Sequence, residues 1–576
     1  MRPEERWQGA EPGAAAGTTK SRPGPPPAVI SPAMISPAVP SPAGAATGGQ
    51  PPPEAGPAGA RRTGSARPAR ATRPDRVPWL VALAVFLAYT TLSVFRFWQL
   101  DPASWDLGIF TEYVKQYSQL HAPIVDIKGA GFNLLGDHFH PIVALIAPVF
   151  RLVPTPITLL VAQAALVAVS VIPVSRAAAA RLGTGAGRAI GAAYGFSWGL
   201  QQLVDNDFHE IAFAVPLLAF SLSALICGRR RTAALWALPL VFVKEDQGLT
   251  VAMIGIIMIL LARREAARAG RPADDATGHD AAGDQAAGDQ AIEEDAGAGG
   301  QDRWGPLLIA WGLGWSFLAV MVIIPHFNPA HAYPYWSLGG AASAGGHFAL
   351  SPLAGQLVAG WPVKLPTLVL ILLVTAFLAV RSPILLAAIP GLALRFLATD
   401  SAYWGTAWHY NATLMPIVFV AAIDGLARLR AARLRGTAGP LALAMERHGP
   451  VAMLAVCAGL AFQFPLSNLW NPQTYAISAQ VRAADAAMAR VPDGVTVETD
   501  LDLLAPLAAR TDTFWLGTAG NPAPQYIVFD SHSTDWQPPP ANIPAFIDQR
   551  HPGVSYRETF SDDGVYVFRR ISPPGG

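Results

Sequence analysis

The chain has 576 residues, of which 52% are hydrophobic and only 14% are charged. This composition is too apolar and too weakly charged for an ordinary soluble protein of this length, so it predicts an integral membrane protein. The formal net charge is +1, which gives no reason to expect a nucleic-acid partner. The two cysteines, Cys227 and Cys457, lie in separate apolar runs, so no disulfide framework is expected.

Residues 1–75 precede the first apolar run and are rich in Pro, Ala, Gly and Arg. They lack aliphatic periodicity and cannot bury enough apolar surface to offset the entropy of ordering, so we expect a disordered tail. The run from Val77 to Trp98 is long enough to cross the ~30 Å hydrocarbon core. Arginines gather just before it, at Arg61, Arg62, Arg67, Arg70, Arg73 and Arg76. They predict a signal anchor that leaves the tail in the cytoplasm.

Further apolar runs follow along the chain. They fall at about 156–178, 189–204, 211–227, 232–246, 248–262, 305–325, 364–380, 383–398, 412–427 and 450–467. Together with the first run they predict about eleven transmembrane helices. Alternating the helices from a cytoplasmic N-terminus places every dense arginine cluster on the cytoplasmic side. This agreement checks the topology independently, because the charge rule oriented only the first helix.

Two segments differ in composition from the apolar runs. Residues 265–303 contain the repeat-like stretch AAGDQAAGDQ and predict a disordered cytoplasmic linker. This linker would separate an N-terminal membrane half, 77–262, from a C-terminal half, 304–467. Residues 468–576 contain VTVETD, QYIVFD and VYVFRR, which are typical of short strands. They predict a small extracytoplasmic α/β domain.

Polar and ionisable residues gather on the predicted extracytoplasmic face. They are Asp106 early in the first outside loop (99–141), Asp137, His138 and His140 near its end, His209 and Glu210 in DNDFHE, Lys244 and Glu245 in KEDQG, and His409 and Tyr410 in WHY. An ionisable group near hydrocarbon costs about 2.5–3.5 kcal/mol on insertion scales, so such residues usually face a bundle interior, a partner or a wet cavity. The clustering therefore indicates a shared site.

The spacing of Asp137, His138 and His140 could place ligands around a divalent cation. Positions i and i+2 of a helix point apart, so this site requires an irregular backbone. The alternative is a helix-capping aspartate with interfacial histidines.

Simpler alternatives also exist for the other polar residues. Lys244 could bind a phosphate, or it could be neutralised locally by Glu245 and Asp246. Aromatic residues at helix ends more often form an interfacial belt than a ligand platform.

Several motifs in chain order resemble those of a known family. The sequences WDLGIFTEYVKQ, GDHFHPIVALIAP, DNDFHEIAFAVPLLAF, VFVKEDQGL and WHYNATLMPIVFVAAIDGLARL resemble the bacterial membrane proteins grouped as domain of unknown function 2079, over about residues 80–570. This family in turn is similar to the GT-C glycosyltransferases, polytopic enzymes that take sugars from polyprenyl-phosphate donors. The resemblance implies a GT-C-like all-α membrane bundle followed by the small α/β domain.

The resemblance also implies a multi-pass cell-membrane enzyme that transfers a sugar to an envelope glycan or lipid. A carboxylate of the first outside loop, Asp106 or alternatively Asp137, would accept a proton from the acceptor hydroxyl. The leaving lipid phosphate would be stabilised by Lys244, or by a divalent metal held by Asp137, His138 or His209. The residues expected to bind substrate are Lys244, Glu245, His209, Glu210, His409 and Tyr410.

Two other functions remain open from the sequence. A transporter or flippase for a lipid or polar solute also carries buried charges, but it needs them near mid-bilayer with access from both sides. A non-catalytic envelope assembly protein could instead bind a partner through its C-terminal domain. In that case, replacing Asp106 would leave its function intact.

Overall fold

A computed structural model describes residues 75–101, 105–269, 303–335, 350–536 and 538–571. The predicted tail 1–75, apart from Asp75, lies outside the described residues. The same holds for most of the predicted linker 265–303, although the helix before it extends to Ala269.

Helices make up most of the described chain up to Ala461. The first half contains α1 (Val77–Trp98), α2 (Trp105–Ser118), α3 (Ala147–Leu152), α4 (Pro156–Leu182), α5 (Thr184–Gly195), α6 (Trp198–Asp205), α7 (Ala214–Ile226), α8 (Arg230–Ala237) and α9 (Gln247–Ala269). The second half contains α10 (Trp304–Leu318), α11 (Ile324–Phe327), α12 (Leu350–Val358), α13 (Trp361–Leu373), α14 (Ile389–Leu397), α15 (Leu414–Leu434) and α16 (Pro440–Ala461). Helix α15 is apolar around most of its circumference, and most of its residues are buried at the centre of the bundle.

Local sequence explains where the long helices begin and end. Helix α4 starts at Pro156, which has no N–H group to satisfy, and the hydroxyl of Thr155 accepts a hydrogen bond from the backbone N–H of Ile157 at 3.4 Å. The helix ends at Gly183, whose φ of +101° suits glycine and stops the helix. The first predicted run, Val77 to Trp98, coincides with α1.

Among the described residues, five helices are long and apolar enough to cross a membrane. They span Val77–Trp98, Pro156–Leu182, Trp304–Phe327, His409–Leu434 and Pro440–Ala461. Shorter apolar helices occupy Pro141–Leu152, Glu210–Ile226, Trp361–Leu373 and Pro383–Leu397.

The prediction of about eleven transmembrane helices is not confirmed, because several predicted spans are interrupted. Ala376 and Phe377, inside the predicted span 364–380, have φ of +46° and +59°, which a right-handed helix cannot accommodate. The predicted span 189–204 is divided between α5 and α6, and the predicted span 232–246 changes from α8 to a short 3-10 segment. Each predicted apolar run nevertheless contains helix.

A five-stranded sheet follows the helices and confirms the predicted strands. The strands are β1 (Thr496–Thr499), β2 (Asp512–Trp515), β3 (Tyr526–Asp530), β4 (Tyr556–Asp562) and β5 (Val565–Arg570), in the order β2-β1-β3-β5-β4. Strand β1 pairs in parallel with β2 and β3, whereas β5 is antiparallel to β3 and β4. The accompanying helices are α17 (Ala479–Met488), α18 (Leu501–Ala508) and α19 (Ile543–Arg550).

The C-terminal domain packs directly against α2, the helix of the first predicted outside loop. A Cβ atom added to Gly108 would lie 3.0 Å from the Cβ of Leu504, so the missing side chain allows α18 to approach closely. The rings of Trp105 and Trp515 are in contact, with centroids 4.7 Å apart. The sheet domain therefore fixes the position of α2.

Candidate functional site

Asp106 lies in the first turn of α2 beside two histidines from distant parts of the chain. Its Oδ2 is 3.3 Å from Nε2 of His209, and the ring of His209 lies against the ring of His409 with centroids 3.7 Å apart. The Asp106 side chain remains 34% exposed, whereas both histidines are buried. Asp106 is therefore the member of this group that a ligand can reach.

Glu245 joins three segments at the same end of the bundle. Its Oε1 is 2.8 Å from Nδ1 of His138 and accepts a hydrogen bond from the hydroxyl of Tyr333 at 3.2 Å. Its Oε2 accepts a hydrogen bond from the backbone N–H of Phe139 at 3.0 Å. These contacts tie the first loop to the start of α9 and to the chain after α11.

Asp137 forms a second anchoring point in the first loop. Its carboxylate accepts hydrogen bonds from Lys128 at 2.6 Å and from the hydroxyl of Tyr335 at 2.9 Å. Burial alone would raise the pKa of Asp137, but Lys128, His138 and Tyr335 outweigh it and hold that pKa below its usual range. Asp137 is thus ionised at neutral pH, and each of its two carboxylate oxygens accepts a hydrogen bond.

The two histidines of GDHFHP have different environments. Burial and Lys244 act to lower the pKa of His138, but Glu245 and Asp137 outweigh them and raise it above its usual value. Burial lowers the pKa of His140 to about 4, so that His140 is neutral at pH 7. His138 therefore holds its proton beside Glu245 more tightly than an ordinary histidine does, whereas His140 is an internal packing residue.

Lys244 is paired across the chain rather than with its neighbours in sequence. Its Nζ is 3.1 Å from Oε1 of Glu210, and Glu210 is buried at the start of the segment that leads into α7. The lysine remains partly exposed. Glu210 directly follows His209 in the chain, so the ion pair places Lys244 near the segment that carries His209.

These contacts lie where α1 ends and where α4, α7, α9 and α15 begin, so they occupy one end of the bundle. The model of the family described as "Predicted membrane protein (DUF2079)" matches residues 96–567. The chain belongs to this family. It is thus a membrane protein, as its composition predicts.

Comparison with other proteins adds two solved structures that resemble this DUF2079 member. ArnT from Cupriavidus metallidurans bound to undecaprenyl phosphate is 13% identical, with a TM-score of 0.47 over 87% of this chain and 100% of that chain. The apo state of the same ArnT is 13% identical, with a TM-score of 0.45 over 85% of this chain and 97% of that chain. A search of curated proteins finds none that matches the chain.

The predicted site residues of this DUF2079 protein come together, but their arrangement does not fit a metal. Asp137 and His138 are held by Lys128 and Glu245, and the rings of His138 and His140 are 6.4 Å apart. Within the described ranges, no three His, Cys, Asp or Glu side chains are grouped to hold a metal ion. In this arrangement the donor set therefore does not fit the predicted cation.

Two polar residues within apolar runs support the site and are absent from the sequence prediction. Oε1 of Gln163 in α4 accepts a hydrogen bond from the backbone N–H of His209 at 3.0 Å. Arg395 in α14 donates to the backbone carbonyl of Tyr403 and to Oδ1 of Asn411, each at 2.9 Å. Arg395 thereby holds the segment that carries His409. A polar residue in an otherwise apolar run is the sequence signal that could have indicated both.

Proposed function

We propose that this protein is a membrane glycosyltransferase that transfers a sugar from a polyprenyl-phosphate donor to a hydroxyl group of a cell-envelope glycan or lipid. The observation that supports it is the pair of Asp106 and His209, at 3.3 Å, on the accessible edge of an otherwise buried polar cluster. A carboxylate that is both oriented by a neighbour and open to a ligand suits general-base catalysis.

In the proposed reaction, Asp106 accepts the proton of the acceptor hydroxyl. The acceptor oxygen forms a bond to the anomeric carbon of the donor sugar, while the bond between that carbon and the phosphate oxygen breaks. Polyprenyl phosphate leaves with the bonding electron pair, and Asp106 later releases its proton to water. His209 is a positioning residue that orients the carboxylate of Asp106.

Asp137 is the weaker candidate for the base. Its carboxylate already accepts hydrogen bonds from Lys128 and Tyr335, and its depressed pKa makes it a poor proton acceptor. We assign it instead to holding the first loop in place against the chain after α11.

Lys244 is the cation that we propose for the leaving phosphate. It remains partly exposed and is paired with Glu210, the residue after His209, so a phosphate oxygen can approach its ammonium group near the histidine pair. Glu210 keeps the ammonium in place. His409 and Tyr410, whose rings lie 4.2 Å apart, border the same region and are proposed to contact the sugar.

We further propose that this polar end faces outward and that the N-terminus is cytoplasmic. The opposite ends of the helices carry arginines, namely Arg181, Arg188, Arg230, Arg428 and Arg433. Cytoplasmic loops carry an excess of Lys and Arg, so the arginine-rich end is assigned to the cytoplasm and the C-terminal domain to the outside.

The test measures release of polyprenyl phosphate by the full-length protein in liposomes, using a panel of synthetic polyprenyl-phosphate hexoses and pentoses with crude envelope lipid and glycan as acceptors. We expect Asp106→Asn to reduce release by about 100-fold or more, because the general base is lost. Asp101→Asn is the matched control, since Asp101 is an exposed carboxylate before the same helix. A variant at Asp106 that folds normally and retains the wild-type rate would reject the proposed base, and absence of release from every donor would reject the reaction.

A further inference from the structure

A cavity of about 380 Å³ lies apart from the Asp106 cluster, between the C-terminal end of α2, α3 and the chain just after α18. Lys115, Phe150, Arg151 and Ala509 are among the residues that line it. At about 1.5 Å per residue along α2, Lys115 is about 14 Å from Asp106. The cavity is therefore not part of the proposed catalytic site.

Two cations face this cavity. Lys115 is buried and donates a hydrogen bond to the carbonyl oxygen of Thr511 at 2.6 Å, and Oδ1 of the largely exposed Asp512 is 3.8 Å away. Arg151 is exposed, with Nη1 3.4 Å from the carbonyl oxygen of Ser118. The cavity therefore contains one cation held at its base and a second cation at its mouth.

The nearest carboxyl group on α2 does not cancel this charge at neutral pH. Glu112 lies one helical turn before Lys115 and is fully buried. Burial raises the pKa of Glu112 to about 8, so its carboxyl group is mostly uncharged at pH 7. Asp512 offsets part of the charge of Lys115, whereas Arg151 contacts only a backbone carbonyl, so the cavity keeps a positive charge that suits an anionic group.

Two large exposed apolar residues, here called the rim, directly follow lining residues in the chain: Leu120 follows Gln119, and Leu152 follows Arg151. Leu120 is 86% exposed and Leu152 is 82% exposed, and the span of α4 begins shortly afterwards at Pro156. The rim therefore lies at the level of a membrane surface, where exposed leucines contact lipid chains rather than water. Leu120 also has a φ of +61°, a left-handed conformation that is uncommon for leucine and that turns the chain at this rim.

We propose that this cavity binds the phosphate headgroup of an anionic bilayer lipid. Arg151 offers a planar guanidinium that can donate two hydrogen bonds to one phosphate, and Lys115 supplies a point charge deeper in the cavity. Leu120 and Leu152 lie along the first part of the acyl chains. The apolar rim selects a lipid over a soluble phosphate, which would gain nothing from the two leucines.

A lipid in this position joins parts of the chain that are far apart in sequence. It contacts α2 and α3 on one side and the chain after α18, at Ala509, on the other. Binding of a ligand to the folded state stabilises that state. The lipid is therefore expected to strengthen the attachment of the C-terminal domain to the membrane bundle, whether or not the protein is a glycosyltransferase.

The experiment uses the full-length protein in a non-ionic detergent, with dioctanoyl phosphatidylglycerol as the probe and binding measured by thermal shift and native mass spectrometry. We expect Arg151→Gln to weaken binding about tenfold, as for loss of one charge-assisted interaction. Arg151 is exposed, so this substitution is compatible with folding. Arg557→Gln, which changes an exposed arginine of β4, is the matched control and should bind the lipid like the wild type.

A second set of measurements separates a lipid from a free anion. Leu152→Ser should weaken binding of phosphatidylglycerol, and inorganic phosphate should bind the wild type much more weakly than the lipid. Dioctanoyl phosphatidylcholine, which has no net charge, should also bind weakly. Equal binding of inorganic phosphate and phosphatidylglycerol would overturn the proposal, and so would unchanged lipid binding by Arg151→Gln.

Discussion

Ion pairs at the two ends of the membrane bundle differ in exposure. At the arginine-rich end, Arg188 pairs with Asp75 and Arg230 pairs with Glu265, and one partner of each pair is at least half exposed. Asp424, which pairs with Arg428, is the buried exception at that end. At the other end, Glu245 is 3% exposed, whereas Glu265 is 67% exposed. The same residue type thus occurs as a surface charge at one end and as a buried, fully hydrogen-bonded group at the other.

The difference bears on what the charges do at each end. Exposed ion pairs contribute about 0–1 kcal/mol each, so they add little stability, and the excess of arginine at that end fits the proposed cytoplasmic orientation. Burying an ion pair carries a desolvation penalty. Apolar residues of similar size often stabilise the folded state as much or more. The buried groups around Glu245 and Asp106 therefore indicate a function beyond stability.

The largest predicted effect tests this comparison directly through one glutamate at each end. Glu245→Ala removes the acceptor of the partly buried His138 and of the buried backbone N–H of Phe139, so we expect the free energy of unfolding to fall by about 3–5 kcal/mol. Glu265→Ala should change it by about 0–1 kcal/mol. The measurement is thermal unfolding in detergent, followed by tryptophan fluorescence. Similar losses for both variants would remove the distinction between the two ends.

Local sequence predicts the helices better than the contacts within the site. Length and hydropathy suffice to predict α1, because a long apolar run has few other stable conformations in a membrane. The ion-pair partners of Lys244 and Glu245 cannot be predicted in this way, because their adjacency in sequence suggests that the two pair with each other. In the structure Lys244 pairs with Glu210, and Glu245 pairs with His138. Such pairings depend on how helices pack, which no local pattern encodes.

The polar end also differs from the arginine-rich end because the C-terminal domain packs against it, through the contact between α18 and α2. Substitution of Gly108 tests that contact. In Gly108→Ala the new Cβ would lie 3.0 Å from the Cβ of Leu504, an atom next to the backbone, so α18 must shift. We expect a loss of about 1–3 kcal/mol, with faster proteolytic release of the C-terminal domain. Gly314→Ala in α10 is the control, because its Cβ would meet no atom within 4 Å. Equal proteolysis of the two variants would show that α2 and α18 are not in close contact.

The smallest predicted effect concerns how stability at the polar end depends on pH. Glu245 and Asp137 outweigh burial and Lys244 and raise the pKa of His138, so the folded state binds its proton more tightly than the unfolded state does. The stabilisation by His138 is therefore fully present below about pH 6.5, the value for an unfolded histidine, and is lost as pH rises through the folded pKa. The slope from this one group is at most about 1.4 kcal/mol per pH unit.

His138→Gln keeps a hydrogen-bond donor for Glu245 but removes the titrating group. We expect the melting temperature of this variant to decline less steeply than that of the wild type as pH rises above about 6.5. His121→Gln, an exposed histidine of the same loop, should leave the slope unchanged. The comparison of slopes isolates His138 from the other buried carboxyl groups, because those groups are present in all three proteins. If His138→Gln and the wild type have parallel profiles, the ion pair of His138 with Glu245 does not form in the folded protein.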